Sequence, residues 1–183
     1  MKSLFLFQRC LRCYDNLGLI RALEESDDVL LVFIFDPIQI GVDNKYRSDN
    51  SIQFMVESLQ SLKEEIKDLT GKKSLNIYYG DIENVLTQLY EQYQFDNIYQ
   101  CRDFTPYAHK RTKTLQIAKN IDVINVDDIT IQPVGSVLTG NNETYKVFTP
   151  YYNKCSKVTV LKPQSISSKL RKNIYKKKIK TKY

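Results

Sequence analysis

The sequence predicts an α/β domain, a doubly wound sheet of five parallel strands in the order 3-2-1-4-5 with helices on both faces. Three observations predict it. Short runs rich in Val, Ile, Phe or Tyr alternate with longer segments of helical periodicity. The alternation repeats through residue 126, a pattern that builds parallel sheets because each crossover helix returns the chain to the same end of the sheet. The 183 residues, 42% of them hydrophobic, can bury one core of ordinary size. Together they describe a Rossmann-like domain.

Residues 4–7, 29–35, 75–79, 97–101 and 122–126 are short, apolar and bounded by polar residues, and are expected to be the strands. The first helix follows Asp15, its expected N-cap, and presents Leu17, Ile20 and Leu23 on one face. The clearest helix spans 51–69, where Ile52, Met55, Leu59, Leu62, Ile66 and Leu69 recur every three or four residues. Gly71 is placed to end it. A third helix over 82–93 starts after Asp81 and offers Val85, Leu86, Leu89 and Tyr93 to a core. A fourth, 106–119, opens with Thr105 as cap and Pro106 at the first helical position. Beyond Val126 the alternation stops. The domain is therefore assigned to 1–130, an extended connector to 131–156, and a basic tail to 157–183, disordered or helical, with Ile166, Leu170 and Ile174 on one stripe.

Charge sharpens that division. The net charge is +6, yet ten of the 27 basic residues and none of the 21 acidic ones lie from Lys157 onward, so the first 156 residues carry −4. No apolar run approaches the ~20 residues of a membrane span, and no membrane partner is expected. The N-terminus turns polar at Gln8 and Arg9, too soon for a secretory signal. A cytoplasmic or nuclear location follows, with four cysteines read as reduced thiols.

In such sheets ligands bind beyond the carboxyl ends of the strands. Here that rim is made by residues 8–16, 36–50, 80–81 and 102–105. Neither G-x-G-x-x-G nor a P-loop occurs, so the usual backbone cradles for nucleotide phosphates are missing. Arg9 and Arg12 end the first strand and could grip an anionic group or pair with Asp15 and Asp36. Cys10, Cys13 and Cys101 fall on neighbouring strand ends and suggest three zinc ligands, with His109 or Cys155 as fourth. Unconnected reduced thiols are the simpler reading, and no metal site is assigned from sequence. His109, beside Lys110 and Arg111, has no partners for nucleophilic catalysis. In the tail, Lys169, Arg171, Lys172, Lys176, Lys177 and Lys178, with Lys180 and Lys182, are interleaved with Tyr175 and Tyr183. They form either a DNA-binding segment or a solubilising end.

The segment Leu6-Phe7-Gln8-Arg9-Cys10-Leu11-Arg12-Cys13-Tyr14-Asp15-Asn16 resembles the opening of DNA photolyases and cryptochromes, F-R-R-D-L-R-x-x-D-N. Val32-Phe33-Ile34-Phe35-Asp36-Pro37 is similar to their second strand, and Gln53-Phe54-Met55-Val56-Glu57-Ser58-Leu59 to their second helix. Val137-Leu138-Thr139-Gly140-Asn141-Asn142-Glu143-Thr144-Tyr145-Lys146-Val147-Phe148-Thr149-Pro150-Tyr151-Tyr152 resembles the connector that leaves their N-terminal domain. The resemblance covers residues 4 to about 155.

It implies an antenna-pigment domain linked to light-dependent repair of pyrimidine dimers. The FAD of catalysis sits in a C-terminal helical domain in this family, so FAD is not expected in this chain, nor is lyase activity without a flavin-binding partner. The absence of Trp agrees. Asp103, in Cys101-Arg102-Asp103-Phe104-Thr105-Pro106-Tyr107, matches the family's N-x-D-[FY]-x-P-[FY], whose acid contacts a deazaflavin pigment. Arg9, Phe35, Asp36 and Ile38 match rim positions around the same pocket. Gln8, Cys10, Cys101 and Ser51 depart from the family's Arg, Asp, Asn and Arg, and an Asn-Glu pair for folate is missing at Tyr107-Ala108. The resemblance thus favours a deazaflavin or flavin over a folate. The partners it implies are a separate helical flavin-binding half docked on the connector, or self-association through exposed Val147, Phe148, Tyr151 and Tyr152. The alternative is a pigment-free module that binds nucleic acid or protein through its tail.

Overall fold

The computed structural model describes residues 1–119 and 121–181. In chain order the elements are β1 (Lys2–Phe7), α1 (Leu17–Glu25), β2 (Asp28–Phe35), α2 (Pro37–Ile40), α3 (Asp49–Thr70), β3 (Asn76–Tyr79), α4 (Ile82–Tyr93), β4 (Asn97–Cys101), α5 (Pro106–Lys119), β5 (Asp122–Val126) and α6 (Phe148–Cys155), then a 3₁₀ turn at Leu170–Asn173. All five strands pair in parallel in the order β3-β2-β1-β4-β5, with Phe5 opposite both Leu31 and Tyr99. The predicted architecture stands.

The central strands β1 and β2 are continuous apolar runs because helices cover both faces. On one face Phe5, Phe7, Leu31 and Phe33 pack with Leu19 and Leu23 of α1 and Leu59, Leu62 and Ile66 of α3. On the other, Leu4, Leu6, Leu30 and Val32 meet Val85, Leu86 and Leu89 of α4. Gly71 ends α3 in the left-handed conformation, φ 73°, its N–H bonded to Lys67 O at 2.7 Å.

Two local expectations are corrected. The cap of α1 is Asn16, whose Oδ1 accepts from Leu19 N at 2.9 Å. Asp15 instead takes a left-handed backbone, φ 52°, and binds Gln164 through both its N–H and its carboxylate. The connector is not extended throughout, since Phe148–Cys155 near its end form α6. That helix buries none of its residues, and Val147, Phe148, Tyr151 and Tyr152 are exposed, as the family pattern implied.

The basic tail is neither disordered nor a regular helix. It is a strap folded back across the amino end of the sheet. Ile166 and Ile174 are 3% and 2% exposed and join the α1–α3 core, with Leu170 against it. Asn173 donates to Leu23 O and Ser26 O at the end of α1. Ile174 then bridges Val29, where β2 runs ahead of the shorter β3 and leaves its edge unpaired. The strap passes to the opposite face, where Tyr175 and Ile179 pack on the α4 core. Asn76 Oδ1 accepts from Ile179 N, and Tyr78 OH donates to Ile179 O. The hydrophobic residues buried along it outweigh the repulsion of its like charges; Lys169, Lys172, Lys176, Lys177, Lys178 and Lys180 face water, and Arg171 is half-buried with its Nε donating to Ile166 O. Lys182 and Tyr183 lie outside the described residues.

Candidate functional site

Strand order reverses between β1 and β4, and the carboxyl end of the sheet opens there into a cavity of about 570 Å³. Its floor is the ends of β1 and β2, its walls are Ile52 and Met55 of α3, Ile82 of α4, and Tyr107 and Arg111 of α5. The short helix α2 sets the mouth. Asp36 caps it, Oδ1 accepting from Ile38 N at 2.9 Å, and Pro37 occupies its first position.

Four of the five residues expected at a pigment site line this cavity: Arg9, Asp36, Ile38 and Asp103. Phe35 does not. Its ring lies on the same face of β2 as Phe33 and packs edge-on against it at 5.0 Å. Phe33 lines the cavity instead.

The electrostatics divide the polar residues into committed and free groups. Asp36 is buried with both oxygens engaged, Oδ2 accepting from Tyr107 OH at 2.8 Å. Burial, then the bond to Asp36, pushes the Tyr107 phenol up to about 12. Asp103 accepts from Thr105 N at 3.0 Å and faces Arg9 Nη1 at 3.5 Å. Burial pushes its carboxyl up, but the Thr105 hydrogen bonds and the fields of Arg9 and Arg111 leave it below its ordinary value. Arg9 is the freer cation, with a side chain 60% exposed.

The residues that the sequence pattern missed are Tyr107 and Arg111. Arg111 donates to Gln8 Oε1, Gln8 donates to Gln100 at 2.6 Å, and Gln100 donates to Thr112 and Asn125 at 2.9 and 2.8 Å. This polar chain runs from the cavity floor under α5. The Arg111 guanidinium lies over the Tyr107 ring, and burial pulls it down from its ordinary value. Among the described residues its Nε is buried without a hydrogen-bond partner. A buried, unanswered N–H on a cavity wall favours a ligand that brings an acceptor. The signal was legible in part: Pro106 starts a helix, and Tyr107 and Arg111 stand four residues apart on one face.

On the α1 side of the same strand ends lie the cysteines. Cys10 and Cys101 come together, joined by Asp128 rather than by Cys13, His109 or Cys155. Cys13 is held elsewhere, its N–H bonded to Glu65.

A sequence model of the family "DNA photolyase" matches residues 3–168, past the start of the basic segment. The deoxyribodipyrimidine photo-lyase of Escherichia coli K12 is 30% identical over 158 residues, 80% of this chain and 32% of that protein. Cryptochrome DASH of Idiomarina loihiensis is 32% identical over 104 residues, 53% of this chain and 22% of its own length. Among solved structures, an archaeal photolyase from Sulfolobus tokodaii with two FAD molecules, described as implying a novel light-harvesting cofactor, superposes with a TM-score of 0.79. It is 33% identical, over 90% of this chain and 37% of that one. The chain thus spans about a third of the length of these photolyases. No helix among the described residues is long and apolar enough to cross a membrane.

Proposed function

The chain belongs to the DNA photolyase family, and from that membership and the rim cavity we propose that it is a light-harvesting domain whose cavity takes a flavin-type pigment, a deazaflavin or a flavin. The observation that carries this is the buried Arg111 Nε, which has no hydrogen-bond partner among the described residues. A flavin or deazaflavin is a flat apolar ring system with carbonyl acceptors along one edge. Ile52, Met55 and Ile82 offer the apolar wall, and Arg111 and Arg9 offer donors for that edge. Asp36 positions Tyr107 and α2, and Asp103 holds Arg9 near the opening. The two FAD molecules of the Sulfolobus photolyase support the flavin class. Splitting of pyrimidine dimers requires, on this reading, a helical flavin-binding half in the same or a separate polypeptide, docked on the exposed face of α6.

The test is reconstitution of the purified chain with FAD, FMN, 8-hydroxy-5-deazaflavin and a reduced folate, followed by absorbance and fluorescence. One flavin-type pigment per chain is expected, with affinity falling about tenfold in Arg111→Leu for the loss of one charge-assisted hydrogen bond. Failure of every pigment to bind overturns the reading.

A second reading rests on the strap. Lys169, Lys172, Lys176, Lys177, Lys178 and Lys180 are exposed, and among the described residues none of them is seen in an ion pair. We propose that this face contacts nucleic-acid phosphates. Tyr175 is packed against Tyr93 at 4.8 Å, so base stacking on it is not part of the proposal. A variant with Lys176, Lys177 and Lys178 changed to Gln keeps the buried anchors. It should lose affinity for duplex DNA and flatten the salt dependence by about three charges' worth. Unchanged affinity and slope would reject it.

A further inference from the structure

We propose that Cys10, Cys101 and Asp128 are the ligands of a buried zinc-type metal site at the carboxyl ends of three adjacent strands, separate from the pigment cavity. Cys10 lies three residues beyond β1, Cys101 ends β4, and Asp128 lies two residues beyond β5. One ligand atom from each lies within 4.8 Å of the other two. Tetrahedral zinc with sulfur at ~2.3 Å and oxygen at ~2.0 Å needs ligand atoms roughly 3.5–3.8 Å apart. Closing onto a metal therefore asks for side-chain shifts of about an ångström or less, within rotamer freedom and without moving the strands.

The chemistry of the donors selects the metal class. Two thiolates and one carboxylate suit zinc, whereas magnesium and calcium want oxygen throughout. Both cysteines are only 6% exposed, and the Asp128 side chain is 2% exposed, so an ion here would be shielded from competing water. Charge closes as well. A divalent ion, two thiolates and one carboxylate sum to −1, and Arg12, whose Nη2 donates to Asp128 at 3.1 Å, brings the cluster to neutrality. Binding releases the two thiol protons to solvent.

The surroundings already hold the carboxylate as metal sites hold theirs. Leu17 N donates to Asp128 Oδ1 at 3.3 Å and Arg12 to Oδ2. Each oxygen keeps a lone pair for a metal, and the outer partners fix its direction. In the metal-free arrangement the Cys101 thiol serves as donor to Asp128 Oδ2 at 3.5 Å, and a metal would replace that proton. Asn16 Oδ1, 3.6 Å from Cys101 Sγ and held in place as the α1 cap, is the nearest candidate for a fourth ligand. A water is the alternative. Cys13, one of the three thiols that the sequence suggests as ligands, takes no part because its backbone is tied to Glu65.

The experiment uses the full chain, reduced, stripped with a chelator and carrying Cys155→Ser to remove the most exposed thiol. It is titrated with Zn²⁺ and, in parallel, Co²⁺. Binding of one Zn²⁺ per chain is expected. With Co²⁺ the visible bands of a tetrahedral ion and a thiolate charge-transfer band should appear together. Cys10→Ser and Cys101→Ser should each abolish the charge-transfer band or weaken Zn²⁺ binding at least tenfold, while Cys13→Ser leaves both intact. Asp128→Asn, which keeps the shape, should weaken binding about tenfold with circular dichroism unchanged. Absence of stoichiometric binding, or binding that survives both cysteine substitutions, overturns the proposal.

Discussion

Replacing Ile174 by Ala tests whether the strap is part of the folded domain. Ile174 is 2% exposed, sits in the α1–α3 core, and its neighbour Tyr175 donates its N–H to Val29 O at 2.9 Å. The substitution removes three carbons from a fully buried site. At ~0.8 kcal/mol for each, the transfer loss is about 2.4 kcal/mol. The strap is pinned on both sides, by Asn173 before it and Ile179 after it, so it cannot collapse freely into the space. A residual cavity raises the cost to roughly 3 kcal/mol. For a chain of this size that lowers Tm by about 6–12 °C. Urea unfolding followed by far-ultraviolet circular dichroism should show a lower midpoint at unchanged slope. Lys177→Ala, on the exposed side of the same strap, should fall within about 0.5 kcal/mol of the parent. If Ile174→Ala costs no more than Lys177→Ala, the strap does not pack in solution and the reasoning fails.

Other outcomes follow from single contacts. Asp103→Asn should destabilise the chain by about 1 kcal/mol at neutral pH. The folded-state carboxyl titrates below its ordinary value, so its contribution is present above that value and is lost as pH falls through the folded one. The parent and variant unfolding curves should therefore converge in acid, and a gap that widens on acidification refutes the assignment. Asp36→Ala removes both the α2 cap and the Tyr107 acceptor, at about 1–2 kcal/mol by chemical denaturation. It should also bring the Tyr107 phenol down from about 12, read by ultraviolet titration of tyrosinate. Gly71→Ala has open space for a methyl group, so its cost of about 1 kcal/mol in urea unfolding is conformational alone.

The fold was legible because its signals are local and redundant. The apolar runs of β1 and β2, the period of Leu59, Leu62 and Ile66, and the stop at Gly71 each agree with the sheet they build. The cap of α1 was misplaced by one residue because Asp15 and Asn16 are both good caps, and only the tertiary bond from Asp15 to Gln164 decides between them. The strap misled for a physical reason of the same kind. Its lysines advertise solvation, and the helical spacing of Ile166, Leu170 and Ile174 suggests one stripe, whereas Ile166 and Ile174 bury against one layer and Ile179 packs against the other. In the cavity, residues fixed by the rim loops were readable, and the α5 pair only in its helical spacing. Tyr107 and Arg111 matter through Asp36 and Gln8, which lie 71 and 103 residues away.

Strand alternation explains why one rim can carry two different chemistries without interference. Gln8, one residue beyond β1, and Gln100 of β4 feed the polar chain beneath α5 that ends at Arg111. Cys101, one residue further along β4, points to the opposite layer and meets Cys10 and Asp128 under α1. No side chain belongs to both the cavity wall and the cysteine cluster. Substitutions on separate faces with no shared partner should act additively. Pigment affinity in Cys10→Ser is then expected to stay within about twofold of the parent, and zinc affinity in Arg111→Leu likewise, a spread near 0.4 kcal/mol. A tenfold change in either crossed measurement would mean that the shared β4 backbone transmits strain from one face to the other, and that the rim is a single site.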